Sequence, residues 1–176
     1  MLKSDTQIAE KSQRFEYMPP VVGYSYIGWN QIKDNKPTIF ADKRVRQAMT
    51  LLTDRDRLIK DVLLGYAEVA ISPFSPTSKQ HSSAINPMPY DVTKAQALLK
   101  EAGFSDSNND GILDKAGQPL EFKLMYLQSN EDTQRIVLLL KDLYAKAGVR
   151  LIPSPQEWPV MLESLDKRSF EAITLG

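Results

Sequence analysis

Apolar residues recur along this chain at two spacings, and the alternation between them lays out the fold. From Asp42 to Glu68 the spacing is helical. Val45, Ala48, Met49 and Leu52 fall at i, i+3, i+4 and i+7 on one helix face, while Arg44, Arg46 and Gln47 take the others. Asp42 precedes the run, where a carboxylate accepts hydrogen bonds from free backbone N–H groups. Thr53 is expected to open a second helix, with Asp56 at capping-box spacing and Leu58, Ile59, Val62 and Leu63 as its apolar face. Gly65 stands where a C-terminal cap would fall. Arg46, Asp54 and Arg55 are expected to form an ion-pair network that fixes the angle between the two helices, with direct ligand contact as the lesser alternative.

The remaining pattern adds strands and four more helices. Residues 4–14 read as a short polar helix with few apolar anchors. Val21 to Trp29 reads as a strand in a largely covered position, because its strand formers run almost continuously. Residues 33–41 read as a polar loop. Ala67 to Tyr90, punctuated by Pro73, Pro76, Pro87 and Pro89, reads as a long connector of the kind that wraps a surface or serves a function. Asp91 should cap a helix through Glu101, with Val92, Ala95, Leu98, Leu99 and Ala102 facing inward and Gly103 ending it. Phe122–Leu127 should be a strand. Ser129 should cap a long helix over 131–147, with Ile136, Leu139, Leu140 and Leu143 as its buried stripe and Gly148 closing it. Val149–Ile152 should follow as a strand, Trp158–Leu165 as a short helix with Pro159 in its first turn, and Phe170–Leu175 as a last strand. Strand, long helix and strand over residues 122–152 make a βαβ unit, whose crossover sets the two strands parallel. The fold class is therefore α/β, a mixed sheet flanked by helices.

Composition narrows the function. With 176 residues the chain suits one domain or one large lobe. Acidic and basic residues balance at 22 each, so neither nucleic acid nor a membrane surface finds its usual electrostatic partner. The longest apolar run, Ile136–Leu140, is far too short to cross a bilayer. Cysteine is absent, which removes disulfides, thiolate metal sites and thiol nucleophiles. The single histidine, His81, lies in the proline–serine connector and is expected to be solvated. With no clustered acid–base pair either, no catalytic residue, no metal ligand and no cofactor is expected, and the chain does not read as an enzyme.

Three residues are candidates for ligand contact. Trp29 and Asn30 end a predicted strand, and ligands of open α/β lobes bind off strand ends, where an aromatic and an amide suit a polar organic molecule. The competing reading makes Trp29 core and Asn30 a turn former. Trp158 follows an acidic residue after a Pro-Ser-Pro stretch, a half-exposed setting open to ligand. Asp106, Asn108, Asp110 and Gly111 match the first half of a calcium loop, but Gly117 stands where the bidentate glutamate belongs. An Asx-rich turn leading into a small hairpin over Gly111–Pro119 is the expected form.

Four blocks together resemble the C-terminal lobe of family 5 extracellular solute-binding proteins, over about residues 20–176. They are Tyr26-Ile27-Gly28-Trp29-Asn30; Asp42–Glu68 with its V-R-Q-A, D-R and G-Y-A signatures; Tyr90-Asp91 to Gly103-Phe104 with Asp110-Gly111 and Gly117-Gln118-Pro119-Leu120; and Leu143–Leu151 with Glu157-Trp158 and Ser169-Phe170-Glu171-Ala172. The resemblance implies one lobe of a two-lobed periplasmic-binding-protein fold. Residues 1–20 would be a weakly ordered helical lead-in and residues 21–176 a partial C-terminal lobe. It implies non-catalytic capture of a peptide or other small solute by lobe closure, and delivery to ABC permease subunits. The place of work would be the periplasm or the extracellular face of the cytoplasmic membrane, with no nucleic acid partner and no membrane insertion. The family binds peptides, nickel chelates, haem and oligosaccharides, so the ligand is left open. On this expectation the N-terminal lobe lies outside the chain. Thr174-Leu175-Gly176 stops short of the tryptophan and aspartate with which peptide-binding members meet a ligand's amino end, so the piece alone should bind solute poorly or not at all. The other reading is the ligand-sensing domain of a cytoplasmic transcription regulator, where such lobes are reused.

Overall fold

The computed structural model describes Ser12, Gln13, Phe15, Tyr17 and residues 23–176. The helix expected over residues 4–14 lies outside the described residues apart from Ser12 and Gln13, which are in no regular element. The elements in chain order are β1 (Tyr26–Trp29), β2 (Ile32–Lys33), β3 (Lys36–Pro37), α1 (Lys43–Leu52), α2 (Arg55–Asp61), α3 (Val92–Glu101), β4 (Asp114–Lys115), β5 (Gln118–Pro119), β6 (Glu121–Leu127), α4 (Glu131–Ala145), β7 (Arg150–Gln156), α5 (Trp158–Asp166) and β8 (Ala172–Leu175).

The main sheet has the order β1-β8-β6-β7. β6 and β7 are parallel, as the βαβ pattern requires, and β8 lies parallel to β6 with β1 antiparallel on its far side. The sheet is mixed and flanked by helices. Phe122, Leu124 and Tyr126 alternate along β6 into the main core, where they meet Phe40 and the buried faces of α1, α3 and α4. Met161 of α5 is buried outside that main cluster, as is Ile173.

The two outer strands are built differently. Arg150 N–H donates to the Leu120 carbonyl, so residues 150, 152, 154 and 156 of β7 face β6, and 151, 153 and 155 face outward. Pro153 and Pro155 occupy two of those three outward positions, where a proline removes a donor that a further strand would use. β1 has no such block. It is the other edge strand, not the covered strand expected, and it starts at Tyr26, with Val21 and Val22 outside the described residues. Tyr26 is exposed while Ile27 and Trp29 pack on the core.

Local chemistry moves several boundaries. Residues 33–41 are not a loop. Asp34 and Asn35 adopt left-handed backbone, with φ of 51° and 57°, and turn the chain between β2 and β3. A 3-10 turn over Ile39–Ala41 then buries Phe40 completely. Thr53 does not cap α2. Its hydroxyl donates to the Met49 carbonyl, and the Asp54 carboxylate accepts from Arg57 N–H instead. Asn130, one residue beyond Ser129, caps α4 through Thr133 N–H. The buried stripe of α4 is Val137, Leu140, Leu143 and Tyr144, with Ile136 and Leu139 only half-covered. β7 runs on through Pro153 and Pro155 because neither proline's nitrogen faces β6.

α1 packs along α3 in antiparallel sense, clasped at both ends. Arg44 Nη1 donates to the Glu101 carbonyl (2.6 Å), and Asp91 N–H donates to the Leu51 carbonyl (2.9 Å). Asp91 also caps α3 through Lys94 N–H, as the sequence predicts. This clasp, more than a pairing of α1 with α2, fixes the helical layer, and it returns the 67–90 connector to its starting point.

Candidate functional site

An open groove of about 2460 Å³ runs past one end of the sheet. β6 and β8 are parallel, so both bring their C-terminal ends to it, at Leu127 and at Leu175-Gly176; antiparallel β1 brings its N-terminal end, at Tyr24 to Ile27. Strand ends expose backbone and side chains at a concave rim, the usual place for a ligand in an open α/β sheet. α4 lines the groove with Asn130, Thr133 and Ile136, and α2 with Arg55, Leu58 and Ile59. The chain from Leu63 to Pro76, entering the connector, also lines it.

The walls are rich in exposed rings. Tyr24 and Tyr26 sit with centroids 5.8 Å apart, and Tyr66, Phe74 and Trp158 also line the groove while largely exposed. Trp158 is 47% exposed at the start of α5. The backbone at the sheet end is tightly apposed. A Cβ on Gly176 would come within 2.3 Å of Ser25 Oγ, so only glycine fits there as the strands stand.

Of the three candidate contacts, Trp158 stands in the groove. Trp29 borders it, yet its ring also packs on Phe40 (4.6 Å) and edge-on to Phe122 (5.6 Å), so it is core as well. Asn30 does not line the groove. Its Nδ2 donates to the carbonyls of Arg168 (3.0 Å) and Phe170 (2.7 Å), which ties the end of β1 to the turn before β8. The structure therefore brings Trp29 and Trp158 to one groove and sets Asn30 apart.

The charged residues at the helix junction do not form the expected network. Asp54 caps α2, Arg46 donates to the carbonyls of Phe40 and Ala41, and Arg55 donates to the Met88 carbonyl. Helix ends and irregular backbone supply unpaired carbonyls, and these take the guanidinium groups. His81 is half-buried on the connector side of the groove, not solvated. Its Nδ1 is enclosed without a hydrogen-bond partner, as is Ser78 Oγ. In the acidic loop, Asp106 accepts from the N–H groups of Asp110 and Gly111, and Asp110 accepts from Ile112 N–H. This is the Asx-turn geometry expected, leading into the β4–β5 hairpin. Among the described residues, no group of three or more His, Asp or Glu side chains is placed to hold a metal ion, and no helix is long and apolar enough to cross a membrane.

Sequence reasoning offered ligand contact by Arg55 only as the lesser alternative to an ion-pair network, and it missed Tyr24, Tyr66 and Phe74. An aromatic stranded in a proline-rich connector, far from any apolar period, was the available signal for the last two.

Residues 2–176 match the family described as bacterial extracellular solute-binding proteins, family 5 middle, and the chain belongs to it. The oligopeptide-binding protein AppA of Bacillus subtilis (strain 168) is 34% identical over 178 residues, covering 98% of this chain and 32% of AppA. The dipeptide-binding protein of Escherichia coli (strain K12) is 28% identical, covering 89% of this chain and 27% of that protein. Among solved structures, B. subtilis AppA in complex with a nonapeptide superposes with a TM-score of 0.80 at 36% identity, over 87% of this chain and 30% of that one. Campylobacter jejuni NikZ in complex with Ni(L-His) gives 0.71 at 28% identity, over 86% of this chain and 29% of that one. The chain spans about a third of the length of these relatives. They are binding proteins by name.

Proposed function

We propose that this chain forms one side of the solute site of an ABC importer's receptor and takes peptide-like solutes into the groove at the end of the sheet. The observation that carries the reading is the convergence of the C-terminal ends of β6 and β8 with Trp158 and the exposed tyrosines on one open groove. Exposed rings beside strand ends give an extended chain apolar area and aromatic faces without demanding one side chain, which suits a receptor for varied solutes. Capture is non-catalytic: a second lobe closes over the groove, excludes water and commits the solute, and the closed form is handed to permease subunits. The relatives' names support peptide over other solutes, and the work would be done in the periplasm or on the outer face of the cytoplasmic membrane. Trp158 is the foremost contact and Trp29 the groove's base. Asn30 acts at one remove, by holding β1 to the turn that leads into β8.

The test is native mass spectrometry of the full-length receptor that contains this chain, with an equimolar pool of peptides two to nine residues long. Retained peptide masses that fall away in Trp158→Ala are expected. Retention unchanged by Trp158→Ala, or no retained mass at millimolar peptide, would overturn the reading.

A further inference from the structure

We propose that Arg55 is an anion subsite of the groove, positioned to take a carboxylate of the captured solute; the identity of that solute as peptide-like rests on the function proposed above. Arg55 is the first residue of α2, half-buried, and it lines the groove. Its Nη2 donates to the Met88 carbonyl, which holds the guanidinium on the returning end of the connector. A guanidinium carries five N–H donors, and one carbonyl leaves most of the fork uncommitted.

Among the described arginines, Arg46, Arg55 and Arg168 hold no carboxylate, and of these Arg55 alone lines the groove. Arg44, Arg57, Arg135 and Arg150 each hold a carboxylate, at 2.6, 3.1, 3.6 and 2.7 Å. Those pairs sit on open surface, and no carboxylate among the described residues comes within 4.0 Å of Arg55. Asp56, Lys60 and Glu68, which also border the groove, are exposed and hydrated. A partly desolvated cation with spare donors and no carboxylate partner is the place where an incoming anion gains most, because its charge is least screened there. The planar fork matches a carboxylate in bidentate fashion, which favours a solute bearing that group. The fixed end at Met88 means little side-chain freedom is lost on binding.

Two measurements on the full-length receptor that contains this chain test this. In the first, the Arg55 Nε–H resonance is followed by NMR during titration with sodium acetate, a carboxylate with no peptide character, and with acetamide as the neutral control. A saturable shift with acetate alone is expected. In the second, affinities are compared for one peptide with a free and with an amidated C-terminus, in the wild type, Arg55→Gln and Arg55→Lys. The free form should bind about 10-fold more tightly to the wild type, Arg55→Gln should abolish that preference, and Arg55→Lys should restore part of it. Thermal melting of each variant separates a lost subsite from a lost fold. If peptides bind but acetate leaves Arg55 unmoved and amidation makes no difference, the subsite is refuted and peptide capture stands. If acetate shifts Arg55 and no peptide binds, the subsite stands and peptide capture fails. No response to either ligand refutes both.

Discussion

Thr53 Oγ1 and Tyr144 Oη lie 2.9 Å apart, joining the α1–α2 junction to the last turns of α4 beneath the groove. Tyr144 is fully buried, and burial pushes its phenol pKa well above the usual tyrosine range despite the Thr53 bond. A buried hydroxyl needs a partner, and this one has a single side chain to supply it. Tyr144→Phe should cost about 1 kcal/mol, and Thr53→Val should cost a similar amount. The double variant should cost less than their sum, since both remove one bond. Urea unfolding of the three variants measures this; strict additivity would mean that the pair does not couple.

Asp42 gives the chain a stability that depends on acid. Its Oδ1 accepts from Arg44 N–H (2.8 Å) and Nε (3.1 Å), and Oδ2 from Nη2 (2.6 Å). The Arg44 side chain is the main cause that holds the Asp42 carboxyl down to about 2, against an ordinary 3.8. A depressed carboxyl contributes stability above its unfolded pKa and loses it as the folded pKa is approached. The contribution should therefore be complete above about pH 5 and fade from pH 4 toward pH 2. Thermal melts of wild type and Asp42→Ala should differ by roughly 1 kcal/mol at neutral pH, a typical N-cap cost, and converge near pH 2. A gap that persists at pH 2 would show the carboxylate's charge to be irrelevant.

Gly148 closes α4 with φ of +75°, and its carbonyl accepts from Leu113 N–H at 2.8 Å. A Cβ there would stand 2.9 Å from Leu113 Cγ and 3.3 Å from the Gly111 carbonyl oxygen. Gly148→Ala should cost roughly 1–3 kcal/mol, from backbone strain together with displacement of the acidic loop. Leu113→Ala should relieve the steric part and leave the strain, so the double variant's penalty should be less than additive in chemical denaturation.

Trp158 offers both a contact and a probe. It is exposed in the groove, so a solute covering it should blue-shift and brighten its fluorescence, while Trp29, packed on Phe40 and Phe122, should respond little. Trp158→Ala should weaken solute binding by about 1–3 kcal/mol and leave the melting temperature within a degree or two, because the ring contributes little to the core. A large drop in melting temperature would make it a structural residue.

The helices were legible because their periods are long and their faces continuous. Val45, Ala48, Met49 and Leu52 are fully buried as spaced, and Asp91 and Pro159 mark helix starts where the chain chemistry says they should. The βαβ unit followed from element lengths alone. Misplacements came where two neighbours could do the same job. Ser129 and Asn130 can both cap helices, and so can Thr53 and Asp54; Asn130 takes the first cap, and at the second the Thr53 hydroxyl is taken by the Met49 carbonyl and Tyr144. The α4 stripe was shifted because Tyr144, a polar-tipped residue, goes inward only if Thr53 waits for it. Trp158 was legible from its setting. The ion pairs expected of Arg55 did not form, since nothing local says that a guanidinium in an acidic neighbourhood will leave Asp54 and Asp56 for a carbonyl more than thirty residues away.

Pro153 and Pro155 make the sheet one-sided in a way that matters outside the folded molecule. A neighbouring chain that tries to stitch itself along β7 finds two donors missing, so accretion is steered to the short β1 edge, where Tyr26 and the open groove leave little flat surface to build on. Crowding should therefore yield small, reversible associations through a single lateral contact, and replacing both prolines with valine should open a second seam and turn pairs into fibres.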